Sequence, residues 1–213
     1  PEIATRLGVG EALREISASV ASVTLYLGLE GSAQELELPK QNLWLYDHDD
    51  HDRAFHYVTG HESLPNRSAG LPVAFCSSAA ALDPMFEKRH PGRSTAEIIT
   101  VSDHRWFRAW SGSSWQKRGE EYESIKTEWS ERLLELLVRR VPQIRDRIRH
   151  MELSTPLTTQ HFASHPHGEI YGLAHTPRRF RERTLRADRR SEDCISRARM
   201  SSLAASRAAR RAV

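Results

Sequence analysis

The stretch GEEYESIKTEWSERLLELLVRRV, from Gly119 to Val141, restricts the fold more than any other part of the sequence. Tyr122, Ile125, Trp129, Leu133, Leu136, Leu137 and Val138 recur at three- and four-residue steps, which puts them on one stripe of an α-helix. Glu120, Glu121 and Glu123 open the stretch and Arg139 and Arg140 close it, an arrangement that complements the helix dipole. Pro142 ends it, because proline lacks the N–H that another turn would need. A stripe of this kind has to be buried against a second element. It reads as core.

The flanking segments offer a sheet for it to pack on. SVASVTLYLGLE (Ser19–Glu30) is rich in β-branched and aromatic residues and alternates over VTLYL, the pattern of a half-buried strand. NLWLYDH (Asn42–His48) is a second short strand, followed by a polar loop with Pro65, Asn66, Ser68 and Gly70. LPVAFCSSAA (Leu71–Ala80) is nearly continuously apolar, which predicts a strand covered on both faces. TAEIITVSDHRWF (Thr95–Phe107) reads as a fourth strand, and QIRDRIRHMELST as a helical turn leading into a strand around His150–Leu153. Strands mixed with one long helix, without regular βαβ alternation, predict an α+β fold in which helices pack on a mixed sheet.

Composition narrows the class. Of 213 residues, 38% are hydrophobic and 8% aromatic, values of a globular rather than a disordered chain. No run approaches the roughly 20 apolar residues that span a bilayer. PEIATRLG lacks the plan of a signal peptide and reads as a start in mid-chain. Cys76 and Cys194 make no disulfide framework, so a reducing cytosol is the default compartment. The net charge of +3 hides a split, because 12 Arg stand against four acidic residues from Arg178 onward. That segment carries +8 and the first 177 residues −5. A basic arm on an acidic body keeps nucleic-acid binding through Arg178–Arg211 open as an alternative function.

Three clusters bear on chemistry. YDHDDHDRAFH (Tyr46–His56) concentrates carboxylates and imidazoles, so a metal-dependent enzyme using His48, Asp50 and His51 is a second alternative. The run has no helical ligand spacing and reads more simply as a solvated loop, with no metal assigned. WFRAWSGSSWQKRG (Trp106–Gly119) brings three Trp beside cationic side chains, suited to stacking bases, lining an apolar pocket or packing on the following helix. Cys76 sits in an apolar run and reads as a packed thiol. ELSTPLTTQHF (Glu152–Phe162) followed by GEIYGL (Gly168–Leu173) is the most informative segment. Pro156 and its hydroxyl neighbours suit a chain leaving a strand and starting a helix, and Gly168 and Gly172 permit close backbone approach.

NLWLYDHDDHD, PVAFCSSAAALDP, HPGRSTAEIIT, FRAWSGSSWQKRGEEYESIK, ELSTPLTTQHF and GEIYGLAHTPRRF occur here in an order that resembles the phytoene desaturase, carotenoid isomerase and retinol saturase family, especially its retinol-saturase-like bacterial members. The resemblance covers most of Pro1–Arg186. It implies an FAD-binding Rossmann-like domain split by a substrate domain, with this chain forming mostly the substrate domain and the return segment towards the flavin. It implies FAD as cofactor of the intact protein, leaves NAD(P) open, and points to desaturation, saturation or isomerisation of an apolar, polyene-type small molecule. Nucleic acid is then not a partner, and peripheral membrane association stays open for the intact protein. Thr155, Pro156, Thr158, Phe162, Gly168, Tyr171 and Gly172 match the family stretch near flavin and substrate. Trp106 and Trp110 are expected in the substrate pocket. No acid–base residue is assigned, since the cofactor carries the redox chemistry.

Two family elements are missing, the GxGxxG fingerprint and a closing GLYLTG-x-D-V with its Gly-rich run. The fragment is therefore expected to bind no FAD and to be inactive by itself. At the place of the closing element stands the Arg-, Ala- and Ser-rich stretch of residues 187–213, expected to be a disordered tail read out of frame. Joining the third base of each codon to the first two of the next turns Asp193–Cys194 into a Leu codon and Cys194–Ile195 into Tyr or His. Continued over Glu192–Ser201, the same shift allows G-L-Y-L-T-G-x-D-V, which places a frameshift near Ala187. Resequencing the genomic DNA across codons 180–213 tests this. The shifted frame should encode LYLTG; its absence would refute the frameshift.

Overall fold

The computed structural model describes residues 15–46, 48–52, 56–57, 71 and 73–185. They fall into two compact units, one within Val20–Gly172 and the other made of residues 15–19 and 173–185.

Val20–Gly172 is built on a five-stranded sheet of order β2-β3-β4-β1-β5. The strands are β1 (Ala21–Glu30), β2 (Leu43–Tyr46), β3 (Val73–Ser77), β4 (Arg93–Ser102) and β5 (Ile148–Ser154). Every pairing is antiparallel, so the sheet is not the mixed one expected from sequence. None of its neighbours is joined by the crossover that parallel strands require.

Alternation sorts the side chains onto two unlike faces. On one face Val23, Leu25, Leu27 and Leu29 of β1 lie opposite Thr100, Ile98, Ala96 and Ser94 of β4, and all are buried. Ala74 and Cys76 extend this face across β3. Helix α3 (Glu120–Val138) covers it, adding Tyr122, Trp129, Leu133 and Leu137 to the same core cluster. The helix starts at Gly119, whose φ of 87° is one glycine adopts freely. With no side-chain cap there, the three early Glu residues offset the unpaired N–H groups. It ends at Val138, short of the expected Val141. Arg139 and Arg140 form a turn, and Pro142 opens a 3-10 segment (Pro142–Arg147) that buries Ile144.

Two strands stop earlier than their apolar runs suggest, and hydrogen-bonding side chains stop them. After β3, Ser78 donates its hydroxyl to Thr95 O (2.7 Å) and accepts from Ala81 N (3.3 Å), starting the short helix α1 (Ala79–Leu82). LPVAFCSSAA is therefore strand plus helix, and among the described residues β3 buries Ala74 and Cys76 on one face while Val73 and Phe75 are half-buried on the other. A second single turn, α2 (Phe86–Arg89), leads to β4. After β4, Asp103 accepts from Arg105 N at 2.7 Å and starts a 3-10 segment, His104–Trp110, that drives Trp106 and Phe107 into the core. The chain leaves β5 through α4 (Pro156–Ala163).

In the other unit a bridge pairs Ala18 with Leu173, and Ala174 N donates to Ser17 O at 2.9 Å. Helix α5 (Pro177–Arg181) is capped by Thr176. Arg178 pairs with Glu15, and Arg179 donates to Leu173 O at 2.6 Å. These two cations of the Arg-rich segment thus have local partners. Residues 187–213, expected to be an out-of-frame tail, lie outside the described residues.

Leu133 is fully buried in the α3 stripe, and Leu133→Ala should cost about 2–5 kcal/mol. Urea unfolding checks this; a loss below about 1 kcal/mol would contradict burial of the stripe.

Candidate substrate-binding site

The face of the sheet turned away from α3 is the chemically unusual one. Reading across the strands, Trp44 of β2 lies opposite Phe75 of β3, Phe75 opposite Ile99 of β4, Ile99 opposite Thr24 of β1, and Thr24 opposite Ser154 of β5. Two residues along, Tyr26 stands between Glu97 and Glu152. On the other side of the central row lie Tyr46 opposite Val73, and Val101 opposite Ser22. Outward positions of an antiparallel sheet that faced only water would be polar. Here Trp44 is 62% exposed and packs edge-on against Phe75 at 5.1 Å. All of these residues except Tyr46, Glu97 and Glu152 line a cavity of about 630 Å³, within the range of small-molecule sites.

The return segment after β5 supplies the rest of the wall. Thr159 of α4 and Ile170 and Tyr171 beyond it line the cavity. Ile170 N donates to Val20 O at 3.1 Å, and Glu169 bridges to Ala21, which ties this segment to the start of β1. The joint between β5 and α4 is densely hydrogen-bonded. Thr155, fully buried, shares a 2.7 Å hydrogen bond with the Tyr122 hydroxyl. Its N–H donates to the Thr158 hydroxyl at 3.1 Å, and Thr158 N donates back to Thr155 O at 2.9 Å. Gly168, at φ +59°, presses on this joint so closely that a Cβ would stand 2.3 Å from Pro156 O. Only glycine fits there.

The residues singled out by sequence therefore divide. Thr155, Pro156, Thr158 and Gly168 build the joint, while Tyr171 lines the cavity. Gly172 has φ +69° and open space around it. Phe162 projects outward against Trp115 and His161, with ring centroids 5.3 and 4.7 Å away. Trp106 is buried between Tyr57 and Trp129, and Trp110 packs on Tyr122. Both contacts belong to the core cluster around α3, and neither Trp lines the cavity. Trp44, Phe75, Tyr26, Thr24 and Thr159 were not singled out by sequence. The available signal was the apolar or aromatic residue at every second, supposedly wet, position of β2, β3 and β4.

Burial raises the Tyr26 hydroxyl above its ordinary pKa and Glu97 adds to the effect, so the phenol stays protonated and can donate. Burial pushes the Cys76 thiol up to about 12, which removes it as a nucleophile at neutral pH. His48 accepts from Asp50 N at 3.2 Å and His51 packs on Tyr46. Among the described residues no three metal-ligating side chains converge. A flavin dinucleotide needs N–H groups from a Gly-rich strand-to-helix turn beside a parallel sheet. The described strands are all antiparallel, and α4 turns its first N–H groups onto its own cap. The described residues do not fit a dinucleotide.

Against known proteins, the chain is 28% identical over 180 residues to an all-trans-retinol 13,14-reductase of Danio rerio, covering 84% of the chain and 29% of that protein. It is 30% identical over 171 residues to the all-trans-retinol 13,14-reductase of Homo sapiens, covering 79% and 27%. A Danio rerio protein described as an inactive all-trans-retinol 13,14-reductase matches at 25% over 159 residues, covering 74% and 26%. The chain spans less than a third of the length of these relatives. No family model matches it.

The two return-segment glycines separate packing from backbone strain. Gly168→Ala should destabilise by about 2–4 kcal/mol, from a left-handed φ plus overpacking. Gly172→Ala should cost about 1 kcal/mol, from φ alone. Equal shifts of the two urea midpoints would contradict the close approach of Gly168 to Pro156.

Proposed function

Since this chain belongs to the retinol-saturase-like group of the phytoene desaturase family, we propose that it is the substrate-domain part of an FAD-dependent oxidoreductase acting on an apolar polyene. The observation that carries the proposal is the aromatic and aliphatic outer face of the sheet, from Trp44 through Phe75 to Ile99. A flat, rigid hydrocarbon can lie on that surface and remove it from water, at roughly 25 cal/mol per Å² of apolar area covered.

The residues of this chain bind, align and desolvate the substrate. Trp44 and Phe75 supply ring contacts, and Tyr171 closes one side. Thr155, Pro156, Thr158 and Gly168 act through shape, keeping the return segment in register with β1, while Phe162 and Gly172 form the exposed approach towards the rest of the protein. FAD, and NAD(P) if it takes part, rest on family membership alone, and no chemical step is drawn through them. Residues 187–213 are, on this proposal, a product of the wrong frame. The names of the relatives favour a retinoid among polyenes and reduction among the three reaction types.

Titrating the 213-residue chain with all-trans-retinol, followed by retinol fluorescence, tests the reading. Trp44→Ala and Phe75→Ala should each weaken binding about tenfold, the equivalent of 1.4 kcal/mol of lost contact. Trp115→Ala, away from the cavity, should leave it unchanged. Equal losses for Trp115→Ala and Trp44→Ala would overturn the assignment of the open face.

A further inference from the structure

A second cavity, of about 710 Å³, lies where β1 ends and β4 begins, and it shares no lining residue with the first. Phe86 and Pro91 give it apolar walls, and His90, Arg93, Arg149 and His150 bring nitrogen donors to it. An irregularity in β5 builds this site. The register with β1 slips between Gly28, opposite His150, and Leu29, opposite Ile148, so Arg149 is an extra residue. Neighbouring side chains of a strand ordinarily point to opposite faces, yet Arg149 and His150 both line the cavity. A bulge re-aims a side chain in this way, and bulges gather beside functional sites. Gly28 fits the same picture. A Cβ there would stand 3.1 Å from His150 Cβ, so the bare strand position is what lets His150 come this close.

The charges in this cavity are unbalanced. Glu30 lies directly opposite Arg93 in the register of β1 and β4, but it pairs with Arg149. Among the described residues the Arg93 guanidinium has no ion-pair or hydrogen-bond partner. The Glu87 carboxylate is engaged by Gly92 N at 2.9 Å, and the His90 ring packs on Phe86 at 4.9 Å. Two guanidinium groups therefore share one lining carboxylate. We infer that this cavity binds a phosphate monoester carried on a flat apolar body, the phosphate on Arg93 and Arg149 and the body against Phe86 and Pro91. One guanidinium fork uses up both oxygens of a carboxylate. A phosphate monoester has three terminal oxygens, so it can bridge two forks and still accept from an imidazole N–H. Glu30 holds Arg149 in place and competes with the ligand for it. The inference goes beyond the polyene reading and uses none of its residues.

Calorimetric titration of the 213-residue chain with phenyl phosphate, inorganic phosphate and benzoate tests this. Phenyl phosphate should bind about tenfold more tightly than either of the others, since inorganic phosphate lacks the apolar body and benzoate the third oxygen. Arg93→Gln should weaken phenyl phosphate about tenfold. Arg93→Lys, which keeps the charge and loses the fork, should weaken it less, and Glu30→Gln should tighten it. Trp44→Ala, in the first cavity, should change nothing. Arg93 and Glu30 are exposed, and thermal unfolding checks that each variant folds. Phosphatidylcholine vesicles with and without phosphatidic acid separate the two sources of such a phosphate. Arg93-dependent binding to the phosphatidic acid vesicles, displaced by phenyl phosphate, assigns a lipid phosphate, and phenyl phosphate binding without vesicle binding assigns a soluble one. Equal affinity for the three anions, or phenyl phosphate binding unchanged by Arg93→Gln, would overturn the inference. A folded chain that binds retinol and ignores phenyl phosphate would overturn it too, and leave the polyene reading standing.

Discussion

The structure depends on a one-sided contact, the packing of helix α3 on a single face of an antiparallel sheet. Trp129, Leu133 and Leu137 join Val23, Leu25 and Ile98 in one buried cluster. This apolar material is consumed in making the fold, as interior packing requires. The opposite face then has no structural need for Trp44, Phe75, Ile99 and Val101. A chain that needed only solubility would carry polar residues there. Their presence is what turns a folding argument into a functional one.

The helix and the positions of all five strands could be read in the sequence, because strong periodicity and Pro142 mark them locally. The ends of β3 and β4 could not. Ser78 and Asp103 stop those strands with hydrogen bonds to backbone N–H groups a few residues on, and an apolar run gives no hint of that. The same Asp103 turn ends the strand before Trp106 and packs its ring in the core against Tyr57 and Trp129. The wholly antiparallel sheet was equally hidden, because strand direction is set by long-range pairing.

The candidate site was half legible. Gly168 and the Thr155–Pro156 step stand out as backbone-limited positions, and they form the joint that carries Tyr171 to the cavity. The cavity floor was missed because its residues are scattered over four strands and share a row only after register is fixed. A one-residue slip would have sent Trp44 and Phe75 to the core and left Leu43 and Cys76 outside. Register is thus the step that converts an unremarkable alternation into an aromatic cavity floor.

Hydroxyl-radical footprinting of the chain, with and without all-trans-retinol, probes this two-faced sheet most directly, because it reports side chains one by one. Without ligand, Trp44 and Tyr26 should be oxidised readily and Trp129 and Tyr122 spared. Retinol should then protect Trp44, Phe75 and Tyr171 while leaving Trp115 and Phe162 as reactive as before. Protection confined to Trp115 and Phe162, with Trp44 unchanged, would contradict the claim that the uncovered face of the sheet receives the ligand.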